Sequence, residues 1–116
     1  MPVPETHLRR IMRWCAAKVL VRNTYRPYYQ IRFEHAVRGS NVTIFELTAP
    51  WGEGLEPVWT RRKWAQLRYD GSLWRLYWWC RSRRWRLDTW GTPSAAMSPG
   101  PLLELLDDPY FPTWAY

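Results

Sequence analysis

The chain is short of cysteine, lysine, histidine and long apolar runs, and each shortage removes a class of protein. Two cysteines, Cys15 and Cys80, cannot form the framework of a disulfide-stapled secreted domain. With His7 and His35 they complete the chain's stock of soft metal ligands. All four stand singly, without a Cys-x-x-Cys or His-x-x-x-His step, so the spacing of a zinc site is missing. Both cysteines are expected to act as small buried hydrophobes. A bridge between them stays open on geometry, although a reducing compartment disfavours it. No run approaches the roughly eighteen apolar residues of a membrane span. The opening Met-Pro-Val-Pro-Glu-Thr-His-Leu-Arg-Arg has no signal-peptide core. A cytoplasmic location with no membrane partner is therefore the expectation. The six glycines form no phosphate-cradling loop, and no acids pair at metal-binding spacing. Neither metal nor cofactor is expected.

What is present is arginine and tryptophan. The 116 residues suit one domain, 1–116, and 47% hydrophobic with 23% charged residues argue for a packed chain despite ten prolines. Of seventeen basic residues fifteen are arginine, and the net charge is +7; arginine grips phosphate as a bidentate fork where lysine offers a point charge. Between Thr60 and Arg86 nine basic residues meet the single acid Asp70, a local balance of +8. That asymmetry points to an anionic partner. Arginine and tryptophan also accumulate for compositional reasons, and charge runs are commonly just solvated faces.

Periodicity predicts an α+β fold. Leu8, Ile11, Met12, Cys15 and Val19 make the stripe of an amphipathic helix over 6–21, with Thr6 at its N-cap. Alternation predicts strands at 29–37, 42–48, 65–69, 73–80 and 85–90, and a short helix at 101–107 ended by Pro109. Together they describe an N-terminal helix, an antiparallel sheet of about five strands, a short C-terminal helix and an aromatic tail, Tyr110, Phe111 and Trp114. If Gly39-Ser40 is a two-residue loop, Val37 faces Val42, His35 faces Ile44, and Glu46 aligns with Phe33 on the core side. There Glu46 would need a partner, with Arg68 or His35 expected. A one-residue slip turns Glu46 outward, and the sequence leaves both registers open. With Asp70-Gly71 as the next turn, Leu67 pairs with Trp74 and Ala65 with Leu76. With Arg81–Arg84 as the last loop, Trp78 pairs with Leu87 and Cys80 with Trp85. The expected core is then Leu67, Tyr69, Trp74, Leu76, Trp78, Trp85 and Leu87 under Leu8, Ile11, Met12 and Cys15.

Several spaced motifs carry a resemblance. They are Trp14-Cys15, Glu46 before Pro50-Trp51, Trp59-Thr60-Arg61, Leu67-Arg68-Tyr69, Trp74-Arg75-Leu76-Tyr77-Trp78, the Arg81-x-Arg83-x-Trp85 step, and Leu102-Leu103-Glu104 leading to Asp108-Pro109. This succession, nearly the length of the chain, resembles the bacterial family catalogued as domain of unknown function 3024. Cys80 stands where a polar residue is expected, and Ala49-Pro50-Trp51 replaces a double proline. The resemblance implies a small single-domain protein with no assigned activity, and it supplies no catalytic residue.

Three functions fit the residues. A basic module would bind nucleic acid, RNA or DNA, through Arg68, Arg75, Tyr77, Trp79, Arg81, Arg83, Arg84 and Arg86, with arginines on phosphates and aromatics stacked on bases. The same Trp/Tyr/Arg surface suits a protein partner or a homodimer. A metal-independent ribonuclease would use His35 or Glu46 as general base beside Arg68, Arg75 and Tyr77. That needs convergence in space, so binding without catalysis is the favoured expectation. Arginine over tryptophan, as Arg86 opposite Trp79 would be, also stabilises a sheet with no partner at all.

Overall fold

The computed structural model describes residues 3–25, 29–50, 58–88 and 95–107. Helix α1 (Glu5–Tyr25) leads into strands β1 (Tyr29–Arg38), β2 (Asn41–Pro50), β3 (Thr60–Tyr69), β4 (Trp74–Trp79) and β5 (Trp85–Leu87), and α2 (Gly100–Asp107) follows. The strands form one antiparallel meander in the order β1-β2-β3-β4-β5. The architecture is the α+β arrangement expected from periodicity. Trp90, Pro109 and the aromatic tail lie outside the described residues.

Helix α1 starts earlier than its expected cap. The Leu8 amide donates to the Pro4 carbonyl at 3.0 Å, so Pro4 stands at the cap and Thr6 inside the first turn. Ile11 and Cys15 are sealed against the sheet, and Leu8 packs beside them. Met12, one helical step of about 100° further round, is 46% exposed, against expectation. Trp14 takes its place on the other flank, stacking on Trp64 at 6.1 Å and meeting the Phe33 ring edge-on at 5.8 Å. Its indole N–H and the Lys18 ammonium both donate to Asp107 Oδ1, at 3.1 and 2.7 Å, tying α1 to the end of α2. Burial pushes the Cys15 thiol up to about 12, so it stays a neutral hydrophobe, and both cysteines are free.

Each hairpin turn sets its own register. Gly39-Ser40 forms the two-residue loop, with Gly39 at φ 61° where a side chain is strained. Val37 therefore faces Val42, His35 faces Ile44 and Phe33 faces Glu46. At the β3–β4 turn Asp70 precedes the loop rather than opening it. Its carboxylate accepts the amides of Ser72 and Leu73 at 2.9 and 2.8 Å, and Gly71, at φ 100°, turns the chain. Tyr69 therefore pairs with Trp74 and Leu67 with Leu76, two residues from the expected register but with the same faces.

The third turn overturns a face assignment. Arg83 sits at φ 59°, and the Arg83 amide donates to the Cys80 carbonyl at 3.0 Å, which makes a three-residue loop, Arg81–Arg83, between Cys80 and Arg84. An odd loop shifts the pairing by one: Trp79 faces Trp85, Trp78 faces Arg86 and Tyr77 faces Leu87. Trp85 and Leu87 thus leave the expected core; Trp85 is half-buried and Leu87 41% exposed. The core proper is Ile31, Phe33, Val42, Ile44, Trp64, Ala65, Leu67, Trp74, Leu76 and Trp78 under α1 and the leucines of α2. At roughly 1.5–3 kcal/mol per large side chain buried, this face supplies the driving force for folding.

Candidate functional site

Alternation along the strands leaves one side of the sheet away from both helices, and a bulge decides which residues of β3 reach it. The pairing of β2 with β3 shifts between Ile44 and Phe45, so that Trp64 is the extra residue. Trp64 and Ala65 both turn toward the helices, which leaves Arg61 and Lys63 on the open side and Arg62 on the other. β3 therefore begins five residues before the expected 65.

The open side carries a row running across the strands. Glu34 pairs with Phe45, Phe45 with Lys63, and Trp79 with Trp85. Lys63 Nζ lies 4.4 Å from the centre of the Trp79 ring, and the Trp79 and Trp85 rings meet edge-on at 5.2 Å. Three further cations on this side also sit over aromatic rings: Arg61 over Phe45 at 3.6 Å, Arg68 over Tyr77 at 3.9 Å, and Arg32 over Trp59 at 4.3 Å. Gln66 steers Arg68, accepting from its Nε at 2.6 Å while donating to Thr43 Oγ1 at 2.9 Å. Arg75 lies opposite Arg68, and Asp70 offsets their repulsion by accepting from Arg75 at 2.7 Å. The turn amide of Leu73, then Arg75 and the amide of Ser72, hold the Asp70 carboxyl down at about 2. Six basic side chains, Arg32, Arg38, Arg61, Lys63, Arg68 and Arg75, share this side with one strand acid, Glu34.

The motif resemblance is confirmed by direct comparison, since the family model described as "Domain of unknown function (DUF3024)" matches residues 2–112. The chain belongs to this family. No curated protein and no solved structure matches it. In this DUF3024 domain the structure brings together only part of the expected site. Arg68, Arg75, Tyr77 and Trp79 share the open side, Arg81 and Arg83 lie exposed in the turn beside it, and Arg84, also exposed, stands past the turn opposite Cys80. Arg86 stands opposite Trp78, on the helix side of β5, and the expected Arg86–Trp79 stack is replaced by Lys63 over Trp79.

The two catalytic candidates lie elsewhere. His35 and Glu46 occupy the helix side of β1 and β2, whereas Arg68, Arg75 and Tyr77 face the other way. The sheet itself separates the expected base from the expected phosphate groups. Glu46 takes Arg62 as its partner at 3.2 Å, neither Arg68 nor His35. His7 is structural: its Nδ1 accepts the Trp74 indole N–H at 3.0 Å, and its ring meets Tyr69 and Trp74 edge-on. Among the described residues no group of three His, Cys, Asp or Glu could hold a metal, and no helix is long and apolar enough to cross a membrane.

Sequence reasoning missed Phe45, Arg61, Lys63 and Trp85 as members of the DUF3024 open side. The Arg61-Arg62-Lys63 run was visible as charge. Phe45 takes that face from the register of the first hairpin, while only the bulge at Trp64 turns Arg61 and Lys63 to it and only the odd loop at Arg83 turns Trp85.

Proposed function

We propose that the open sheet side binds single-stranded nucleic acid without cleaving it. The observation that carries this reading is the cross-strand row Phe45, Lys63, Trp79 and Trp85, with Arg61 over the Phe45 ring and Arg68 over the Tyr77 ring. An antiparallel sheet surface of this kind offers half-exposed aromatic rings and guanidinium planes on which unstacked bases can lie, and bases stack on both. Each stacked base contributes roughly 1–3 kcal/mol. Arg75 and the turn arginines Arg81 and Arg83 would serve the phosphates of a strand crossing that row, since arginine grips phosphate through paired N–H donors. Among the described residues this side carries strands and no helix that could enter a duplex groove, which favours a single strand. The two residues expected to act as general base, His35 and Glu46, face the other way, which favours binding over catalysis.

Fluorescence titration with short oligouridylate or oligothymidylate tests this. Binding should quench tryptophan emission and weaken with salt by about 0.7 log unit per log salt for each phosphate neutralised. Arg75→Ala should flatten that slope, whereas Trp79→Ala should weaken binding roughly tenfold and leave the slope unchanged. Absence of binding at low salt would overturn the reading and leave the same surface to a protein partner. Loss of intact RNA during the titration would overturn its non-catalytic part.

A further inference from the structure

Strand β1 is an edge of the sheet among the described residues, and the unused groups of Phe33, His35 and Val37 point to a partner. The Ser40 carbonyl accepts from Tyr69, so the even positions of β2 bond toward β3 and the odd ones, Asn41 and Thr43, bond toward β1. Their partners are Arg38 and Ala36, which leaves the backbone N–H and C=O of Phe33, His35 and Val37 directed away from the sheet. Among the described residues these edge groups have no hydrogen-bond partner. A long edge strand of this kind is a template for pairing unless blunted by proline, a bulge or like charge; Tyr29–Arg38 contains no proline and no bulge, and its exposed Glu34 and Arg38 are of opposite sign.

The side chains narrow the choice of partner. Glu34 and Arg38 are exposed on the open side, two positions either side of Ala36, and neither forms an ion pair among the described residues. On the helix side, Val37 is 45% exposed and Met12 46%. Helix α2 packs on the flank of α1 that carries Trp14 and Arg10, so Met12, on the opposite flank, looks toward the β1 edge.

We propose that β1 pairs antiparallel with β1 of a second copy of this chain, about a two-fold axis at Ala36. His35 then exchanges hydrogen bonds with Val37 of the other copy, twice over. Glu34 lies opposite Arg38 of the other copy, again twice, at non-hydrogen-bonded positions where side chains come closest. Shifting the axis to Glu34 sets Glu34 against itself, and shifting it to His35 sets Arg32 against Arg38. An axis at Phe33 would pair Arg32 with Glu34 but draws on Ile31, which already has a partner. Pairing at Ala36 yields a ten-stranded sheet with both open sides on the same surface. It does not depend on what that surface binds.

Sedimentation velocity across a concentration series of the full chain tests the proposal. The wild type should pass from monomer to dimer. Glu34→Arg and Arg38→Glu should each raise the dissociation constant by at least about tenfold, because each sets like charges face to face twice. The double variant Glu34→Arg/Arg38→Glu should regain the wild-type constant. Circular dichroism of each variant confirms that the fold is kept. A wild type that stays monomeric to its solubility limit would overturn the proposal, and so would a dimer indifferent to these reversals or not rescued by the double change.

Discussion

Along β4 every second residue is sealed and the others are half in water. Trp74, Leu76 and Trp78 expose 0, 1 and 2% of their surface, while Arg75, Tyr77 and Trp79 are half-buried. Trp78 and Trp79 are neighbours of the same type with opposite surroundings. Trp78 meets Trp64 edge-on at 5.9 Å within the core, whereas Trp79 carries Lys63 on its face. Inward, the indole removes a large apolar area from water; outward, it is a platform that a cation covers and a ligand can share. The abundance of tryptophan therefore reports two different physical roles, and only mutation can weigh them separately.

The sharpest test substitutes the neighbours one at a time. Trp78→Ala should cost about 3–5 kcal/mol in urea melts, as large core aromatics do. Trp79→Ala should cost about 1 kcal/mol or less, the worth of an exposed cation–π pair. Leu76→Ala, at about 2–5 kcal/mol, serves as a control on the helix side. Comparable losses for Trp78 and Trp79 would show that the open side is covered in solution.

The turns extend the comparison to the backbone. Gly39 and Gly71 take positive φ at no steric cost, whereas Arg83 adopts φ 59° with a full side chain. Arg83→Gly should stabilise the protein by about 1 kcal/mol. If the proposed function holds, the same change should weaken oligonucleotide binding, a trade common where strain serves a site. No gain in stability would mean that the loop is unstrained in solution.

This turn also shows where the sequence stops being readable. Leu8, Ile11 and Cys15 announce α1 by period, and Gly39-Ser40 announces a two-residue loop, so the register of the first hairpin could be narrowed to two choices. Asp70 misplaces the second turn by one residue and so the register by two, because its side chain mimics a backbone turn one step before the glycine does. An even shift preserves faces, and Leu67, Trp74, Leu76 and Trp78 were still assigned to the core. At Arg83 no glycine marks the left-handed residue, so the odd loop is invisible and β5 was read inside out. The bulge at Trp64 is equally silent, since an extra residue between a basic run and an apolar one leaves no pattern of its own. Half of the open-side row depended on those two irregularities. Its basic and aromatic composition was legible, but its membership was not.

A smaller effect probes the polar end of β4. Asp70 is held at about 2, below the ordinary carboxylate range, by the turn amide of Leu73 first, then Arg75 and the amide of Ser72. A depressed carboxylate stabilises the fold fully above its unfolded value, near pH 4, and loses that contribution as pH falls through about 2. The stability difference between wild type and Asp70→Asn should thus be constant from pH 7 to about 4 and shrink below it. A difference that persists unchanged to pH 2 would assign the role to turn geometry, not charge.

The least effect is expected at Glu46, where the helix side of the sheet opens to water. Its inward register invited the expectation of a costly, carefully partnered carboxylate. Its partner, however, is Arg62, turned to that side by the Trp64 bulge, with 64% of the arginine side chain exposed and 23% of the glutamate. A pair this wet at 3.2 Å is screened and contributes little. Glu46→Gln should therefore shift stability by no more than about 0.5 kcal/mol, and raising the salt concentration should erase even that. A loss several times larger would mean that this edge of the core is sealed in solution. The division between a dry helix side and a wet open side would then have to be redrawn from Glu46 outward.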